Sequence, residues 1–90
     1  MRALVCFVCL ASPAFASSEE AWVEFRAAVG EACLALVKNQ GTVSVEVNPF
    51  GTQTYGVAIV TLTSKAGADR MVCVYDKATK KAELSASFSQ

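Results

Sequence analysis

The chain has 90 residues, 53% of them hydrophobic, and a formal net charge of zero at pH 7. This length suits one small domain, and the hydrophobic content excludes a disordered chain. A neutral chain has no broad attraction for nucleic acid, and the lack of histidine removes the commonest general base and metal ligand. We therefore expect a protein that is not an enzyme and that has no metal, no cofactor and no nucleic-acid partner.

Residues 1–16 have the pattern of a secretory signal peptide. Arg2 supplies a positive charge, an apolar stretch follows it, and Ala14 and Ala16 fit the small-residue cleavage motif. The alternative, a membrane anchor, needs about 20 apolar residues, and this stretch is shorter. The sequence predicts cleavage after Ala16, a periplasmic or secreted location, no stable membrane anchor, and a single mature domain over residues 17–90.

Residues 19–38 are predicted to form a helix. Ser17 and Ser18 are candidate N-caps, and Gly41 is suited to the left-handed conformation that ends many helices. Apolar residues at steps of three and four predict one buried stripe. The members of this stripe are Trp22, Phe25, Val29, Cys33 and Leu36.

The rest of the chain predicts four strands. Alternation and β-branched or aromatic residues place them at 42–47, 55–64, 70–75 and 82–88. A turn at 48–51, a loop at 65–69 and a hairpin connection at 76–81 separate them. Short connections favour a meander of antiparallel strands. The predicted fold class is α+β, with one N-terminal helix packed on a four-stranded antiparallel meander sheet.

Cys33 and Cys73 are the two cysteines that remain after cleavage, because Cys6 and Cys9 lie in the signal segment. In an exported domain such a pair is most simply a disulfide, here between the helix and the third strand. The bridge would close a loop of about 41 residues, which is worth roughly 4 kcal/mol of unfolded-chain entropy. Pairing between two chains and catalytic redox chemistry are the alternatives.

Both central strands carry apolar residues on both faces, and one helix can cover only one face. The other face is therefore a candidate partner-binding surface. Its predicted residues are Val60, Leu62, Val72 and Val74. The alternative is that these central strands leave a few scattered apolar side chains exposed, as many proteins do.

The loop at 48–55 holds two aromatic residues, Phe50 and Tyr55, beside turn-forming residues. Exposed aromatics on rigid loops are typical anchors for a partner, and both are candidate partner-binding residues. The alternative is that both fold over the end of the core. Three lysines between residues 77 and 81 form a small basic cluster, which we interpret as a solubilising turn rather than a site for an anionic partner.

These patterns predict a small exported, non-catalytic binding or accessory protein of the cell envelope that acts through protein–protein contacts. Its partner is another protein or a second copy of the chain. Two alternatives stay open: a small periplasmic enzyme or enzyme inhibitor that uses loop 48–55, and a structural subunit of a larger envelope complex. Exposed and convergent Phe50 and Tyr55 would favour the use of the loop.

Overall fold

The computed structural model describes residues 18–88, so the predicted signal peptide and its cleavage site lie outside the described residues. The described chain forms one helix and four strands. They are α1 (Glu19–Ala35), β1 (Thr42–Val47), β2 (Tyr55–Ser64), β3 (Gly67–Asp76) and β4 (Ala82–Leu84). The strands form one antiparallel sheet in the order β1-β2-β3-β4, and α1 contacts all four. The predicted α+β fold with one helix on an antiparallel meander is confirmed.

Helix α1 begins where the sequence predicts it and ends earlier. The Ser18 hydroxyl caps the first turn by accepting the Ala21 N–H at 3.0 Å. The helix ends at Ala35, and the Val37 N–H then donates to the Leu34 carbonyl three residues back. Such bonds tighten the chain beyond an α-helical turn. Asn39 then takes a positive φ of 72°, which no helix continues.

The tightened turn changes which residue closes the apolar stripe. Val29 and Cys33 are buried as predicted, but Leu36 is 39% exposed and Val37 is buried in its place. Helical geometry at the end of α1 would have turned position 36 toward the sheet. The three-residue bonds instead rotate the chain so that Val37 enters the core.

The connection between β2 and β3 is shorter than predicted. β3 begins at Gly67 rather than at Arg70, so Lys65 and Ala66 alone join the two strands. Gly67 takes a φ of +125°, a conformation that side chains disfavour. The predicted loop at 65–69 is therefore wrong, and the two strands pair along their full length.

Strand β4 is shorter than predicted, ending at Leu84 instead of Phe88. Beyond it, the Ser85 side chain accepts the Val72 N–H at 2.9 Å, where a backbone carbonyl would extend the ladder. The Phe88 N–H still donates to the Arg70 carbonyl, so this segment follows β3 without regular pairing. The Phe88 side chain is exposed.

The core lies between α1 and one face of the sheet. The Cys33–Cys73 disulfide crosses it with a Cα–Cα distance of 6.0 Å, and both residues are fully buried. Gly56 is a point of close approach between the sheet and α1, since a Cβ there would lie 2.6 Å from the Val29 Cγ2 atom and 3.0 Å from Phe25 Cζ. The predicted disulfide between the helix and the third strand is confirmed.

Candidate functional site

The sheet has a helix-covered face and an opposite face, which we call the outer face. Directly paired residues of antiparallel strands point to the same side of a sheet. On β2 and β3 the pairs Val57–Val74 and Ile59–Val72 therefore share the outer face, and all four side chains are half-buried. Tyr55 extends this row along β2 and is 41% exposed. The result is a contiguous apolar patch across the two central strands.

Charged side chains surround this patch. Glu46 on β1 pairs with Ile59, and Glu83 on β4 pairs with Val74, so a carboxylate flanks each side. At the two ends of the β3 row stand Arg70, opposite Thr61, and Asp76, opposite Tyr55. An apolar centre with a charged rim is the usual composition of a protein-binding surface.

The structure divides the predicted sheet residues between the two faces. Val72 and Val74 lie on the outer face as predicted. Val60 does not, because it pairs with Val45 and Met71 under the helix and is 0% exposed. Leu62 pairs with Val43 on the same helix-covered side and is half-buried.

Two outer-face residues were missed, Val57 and Ile59. They occupy the positions on the partner-facing side that Val60 and Leu62 were predicted to hold. The signal that would identify them is the register of the β2–β3 hairpin, because the register alone decides which alternate residues of β2 share a side with Cys73.

The loop between β1 and β2 is held by its own side chains. The Asn48 Oδ1 atom accepts the Phe50 and Gly51 N–H groups at 3.2 and 2.8 Å. The Thr52 Oγ1 atom accepts the Tyr55 N–H at 2.8 Å, and the Thr52 N–H donates to the Tyr55 carbonyl at 2.7 Å. These bonds replace the regular pairing that the loop lacks and hold it in one conformation.

Lys77 ties the same loop to the helix. Its Nζ atom donates to the Thr52 carbonyl at 2.6 Å and to the Phe50 carbonyl at 3.4 Å. The ammonium also lies 4.9 Å from the Phe25 ring centroid and 5.6 Å from that of Trp22. The positive charge of this lysine is therefore used within the fold, which differs from the solubilising role that the sequence predicted for the lysine cluster.

Phe50 and Tyr55 are both exposed, and they do not converge. Phe50, 56% exposed, packs edge-on against Trp22 with ring centroids 4.9 Å apart, which places it on the helix side. Tyr55 starts β2 and faces the outer side with Asp76. The two predicted anchors therefore belong to different surfaces and cannot contact one small epitope together.

A groove of about 490 Å³ lies beside the Phe50 contact, between the first turns of α1 and the end of β3. Its walls are aromatic, from Trp22, Phe25 and Tyr75, and the Lys77 and Lys80 side chains border it. The groove can accept an apolar side chain. Its lining includes the Glu24 carboxylate and holds no serine, cysteine or histidine.

Two features are absent from the described residues. Residues 18–88 hold no group of three or more histidine, cysteine, aspartate or glutamate side chains placed to bind a metal ion. In the same range, no helix has the length and apolar character needed to cross a membrane.

Comparisons of the chain with protein-family models, with curated proteins and with solved structures each found no match.

Proposed function

We propose that this chain is a small exported protein of the cell envelope that binds another protein chain through the outer face of its sheet and performs no catalysis. The observation that supports this is the apolar patch centred on Val57, Ile59, Val72 and Val74. Helix α1, the one helix within residues 18–88, lies on the opposite side of the sheet. Contiguous apolar patches at protein surfaces are typical of interaction sites.

The test replaces one residue at the centre of the patch. Val72→Thr keeps the shape and β-branching of valine and replaces one methyl group by a hydroxyl, so it weakens an apolar contact with little effect on the strand. Val23→Thr is the matched control, because Val23 is 52% exposed on α1, away from the sheet. We expect capture of partner chains from the cell envelope by the tagged protein to fall with Val72→Thr and to persist with Val23→Thr.

Equal capture by both variants would contradict the use of the outer face. Circular dichroism and a melting curve verify that each variant is folded. Because a threonine can be tolerated at a loosely packed contact, Val72→Glu is the stronger second variant. A folded Val72→Glu protein that still captures partners like the parent would refute the proposed binding surface.

The proposed export rests on the signal-like N-terminus together with the disulfide, since disulfides persist in oxidising compartments. The intact mass of the protein recovered from the envelope or the medium tests it directly. We expect the mass of residues 17–90 with one disulfide. A mass that retains the first sixteen residues would contradict both the cleavage and the proposed location.

Loop 48–55 supports a second candidate function, the recognition or inhibition of an enzyme through Phe50 alone, because Tyr55 faces the other side of the sheet. The supporting observation is a loop fixed by internal hydrogen bonds that presents Phe50 largely exposed. Such preorganisation lowers the entropy cost of binding. Phe50→Ala should then abolish binding of the partner, whereas Phe88→Ala, at another exposed phenylalanine, should not. Retained binding by Phe50→Ala would exclude the loop.

A further inference from the structure

We propose that the partner of the outer face is a second copy of this chain, packed face to face about a two-fold axis that is perpendicular to β3 and lies between the two sheets. This inference rests on the proposed function, because it names the occupant of the same surface. It commits to a symmetric dimer with a defined arrangement of strands.

The order of outward residues on β3 carries the argument. Along the strand they are Arg70, Val72, Val74 and Asp76. A two-fold axis between Val72 and Val74 reverses the strand in the second copy. Each Val72 then meets Val74 of the other copy, and each Arg70 meets the other Asp76. The strand is therefore complementary to its own reverse in both charge and apolarity, with two opposite-charge pairs formed by symmetry.

The neighbouring strand follows the same rule. The outward residues of β2 are Tyr55, Val57, Ile59 and Thr61. Reversal places Val57 over Ile59 of the second copy and Tyr55 over its Thr61. The apolar pairs thus remain at the centre of the interface, and the tyrosine, with an apolar ring and a polar tip, remains at its edge.

The edge strands add no repulsion in this arrangement. Glu46 of β1 lies over Asn48 of the second copy, an amide that can donate to a carboxylate. Glu83 of β4 lies over Ser85. No two like charges of these rows face each other.

The other two-fold arrangement of two stacked sheets has its axis parallel to the strands, and it fits the charges less well. It would place Arg70 over Thr61 and Asp76 over Tyr55 of the second copy, because these residues pair within one chain. In that arrangement, neither Arg70 nor Asp76 faces a residue of opposite charge. The charges therefore favour the perpendicular axis, and face-to-face packing of sheets is a common arrangement.

The size of the patch limits the area that the dimer can bury. On the outer face, β2 and β3 each contribute the four positions named above, β1 contributes three and β4 contributes one. From the usual strand rise and spacing, these positions cover roughly 400 Å² of sheet per copy. The two copies together would bury about 800 Å², which is the range of weak, transient interfaces. We therefore expect a weak, reversible dimer rather than an obligate one.

Sedimentation equilibrium of the purified protein and four variants tests the arrangement. Arg70→Glu places two carboxylates together at both symmetric contacts, so we expect about tenfold weaker dimerisation. Asp76→Asn removes the charge while keeping the side-chain oxygen that accepts the Ala78 and Thr79 N–H groups, and should weaken it about threefold. Lys38→Glu, the matched control in the turn that follows α1, changes net charge as Arg70→Glu does and should leave dimerisation unchanged.

The double variant Arg70→Glu/Asp76→Asn is the decisive test, because it shows whether Asp76→Asn weakens or strengthens dimerisation once Arg70 is replaced. Asp76→Asn should weaken the parent dimer but strengthen the Arg70→Glu dimer, because there it removes a repulsion. Within one chain, Arg70 and Asp76 are about 20 Å apart along the strand, beyond the Debye length at physiological salt. A reversal of sign therefore reports contact between two copies.

Three results would overturn the proposed dimer: a parent protein that stays monomeric at millimolar concentration, equal effects of Arg70→Glu and Lys38→Glu, or an Asp76→Asn effect with the same sign in both backgrounds. Monomeric protein together with loss of a different captured protein in Val72→Thr would refute the dimer and leave the proposed function standing. If neither Val72→Thr nor Val72→Glu changed self-association or capture, both proposals would fail.

Discussion

Removing the disulfide should cost this domain a large part of its stability. Cys33 and Cys73 are fully buried and lie 40 residues apart in sequence. Closing a loop of that length removes roughly 4 kcal/mol of conformational freedom from the unfolded chain. Typical domains have only about 5–15 kcal/mol of net stability. Cys33→Ala or Cys73→Ala should therefore lower the melting temperature by about 15–30 °C.

Urea or thermal unfolding followed by circular dichroism measures this loss. Alanine is the better replacement than serine, because a serine hydroxyl in this fully buried position would add a separate penalty. Each single variant should match the double variant closely, since either change opens the same loop. The parent protein unfolded and refolded in reductant is the control for the small cavity that each alanine leaves.

Three results would refute this reasoning. Two free thiols in the unreduced parent protein would remove the bridge itself. A loss of less than about 1 kcal/mol in both single variants would show that the unfolded chain is not restrained as the loop estimate assumes. A double variant far less stable than either single variant would show that the cysteines contribute separately through packing.

Other changes test the packing of α1 on the sheet and the anchoring of loop 48–55. Gly56→Ala should destabilise the fold by about 1–3 kcal/mol, because its Cβ would collide with α1. Gly30→Ala, whose Cβ has ordinary room, should stabilise it by about 0.5–1 kcal/mol; urea unfolding measures both, and equal effects would contradict the close approach. Val37→Ala should cost at least about 1 kcal/mol more than Leu36→Ala in the same assay. Lys77→Met should speed amide exchange in the loop that it contacts, and unchanged exchange would contradict its anchoring role.

The predicted elements agree with the structure where residues alternate or follow a strong stripe. β1 and β2 have the predicted bounds, since β1 alternates regularly, β2 is rich in β-branched residues, and turn signals border both. The pairing of Cys33 with Cys73 also follows from the sequence, because each lies in an apolar pattern that must face the other element. The helix end was less predictable, since it depends on how Val37 packs.

The β2 residues that point to the outer face were mispredicted because of the 65–69 segment. A five-residue loop there would place Cys73 opposite Thr61 and send Val60 to the outer face. The actual two-residue connection places Cys73 opposite Ala58, an odd shift of three residues. Odd register shifts exchange the two faces of a strand. Because β2 is apolar on both faces, its composition gave no sign of the exchange.

The hydrogen bonds that hold loop 48–55 could be predicted only in part. The asparagine and threonine turns are local, and the residues at 48–55 indicate them. The role of Lys77 is not local, since its ammonium reaches carbonyls that are 25 and 27 residues earlier in the chain. The sequence shows the cluster of lysines but not which of them turns inward. The separation of Phe50 and Tyr55 onto opposite sides likewise depends on the three-dimensional path of the chain.

The contact between Trp22 and Phe50 gives this protein a natural optical probe. Trp22 is the only tryptophan in the chain, and its ring packs against Phe25 on α1 and Phe50 in loop 48–55 and lies under the Lys77 ammonium. Its fluorescence therefore reports on this junction and not on the sheet as a whole. If the junction opens before the sheet melts, emission and far-ultraviolet dichroism will follow different unfolding curves, and their difference measures the local opening.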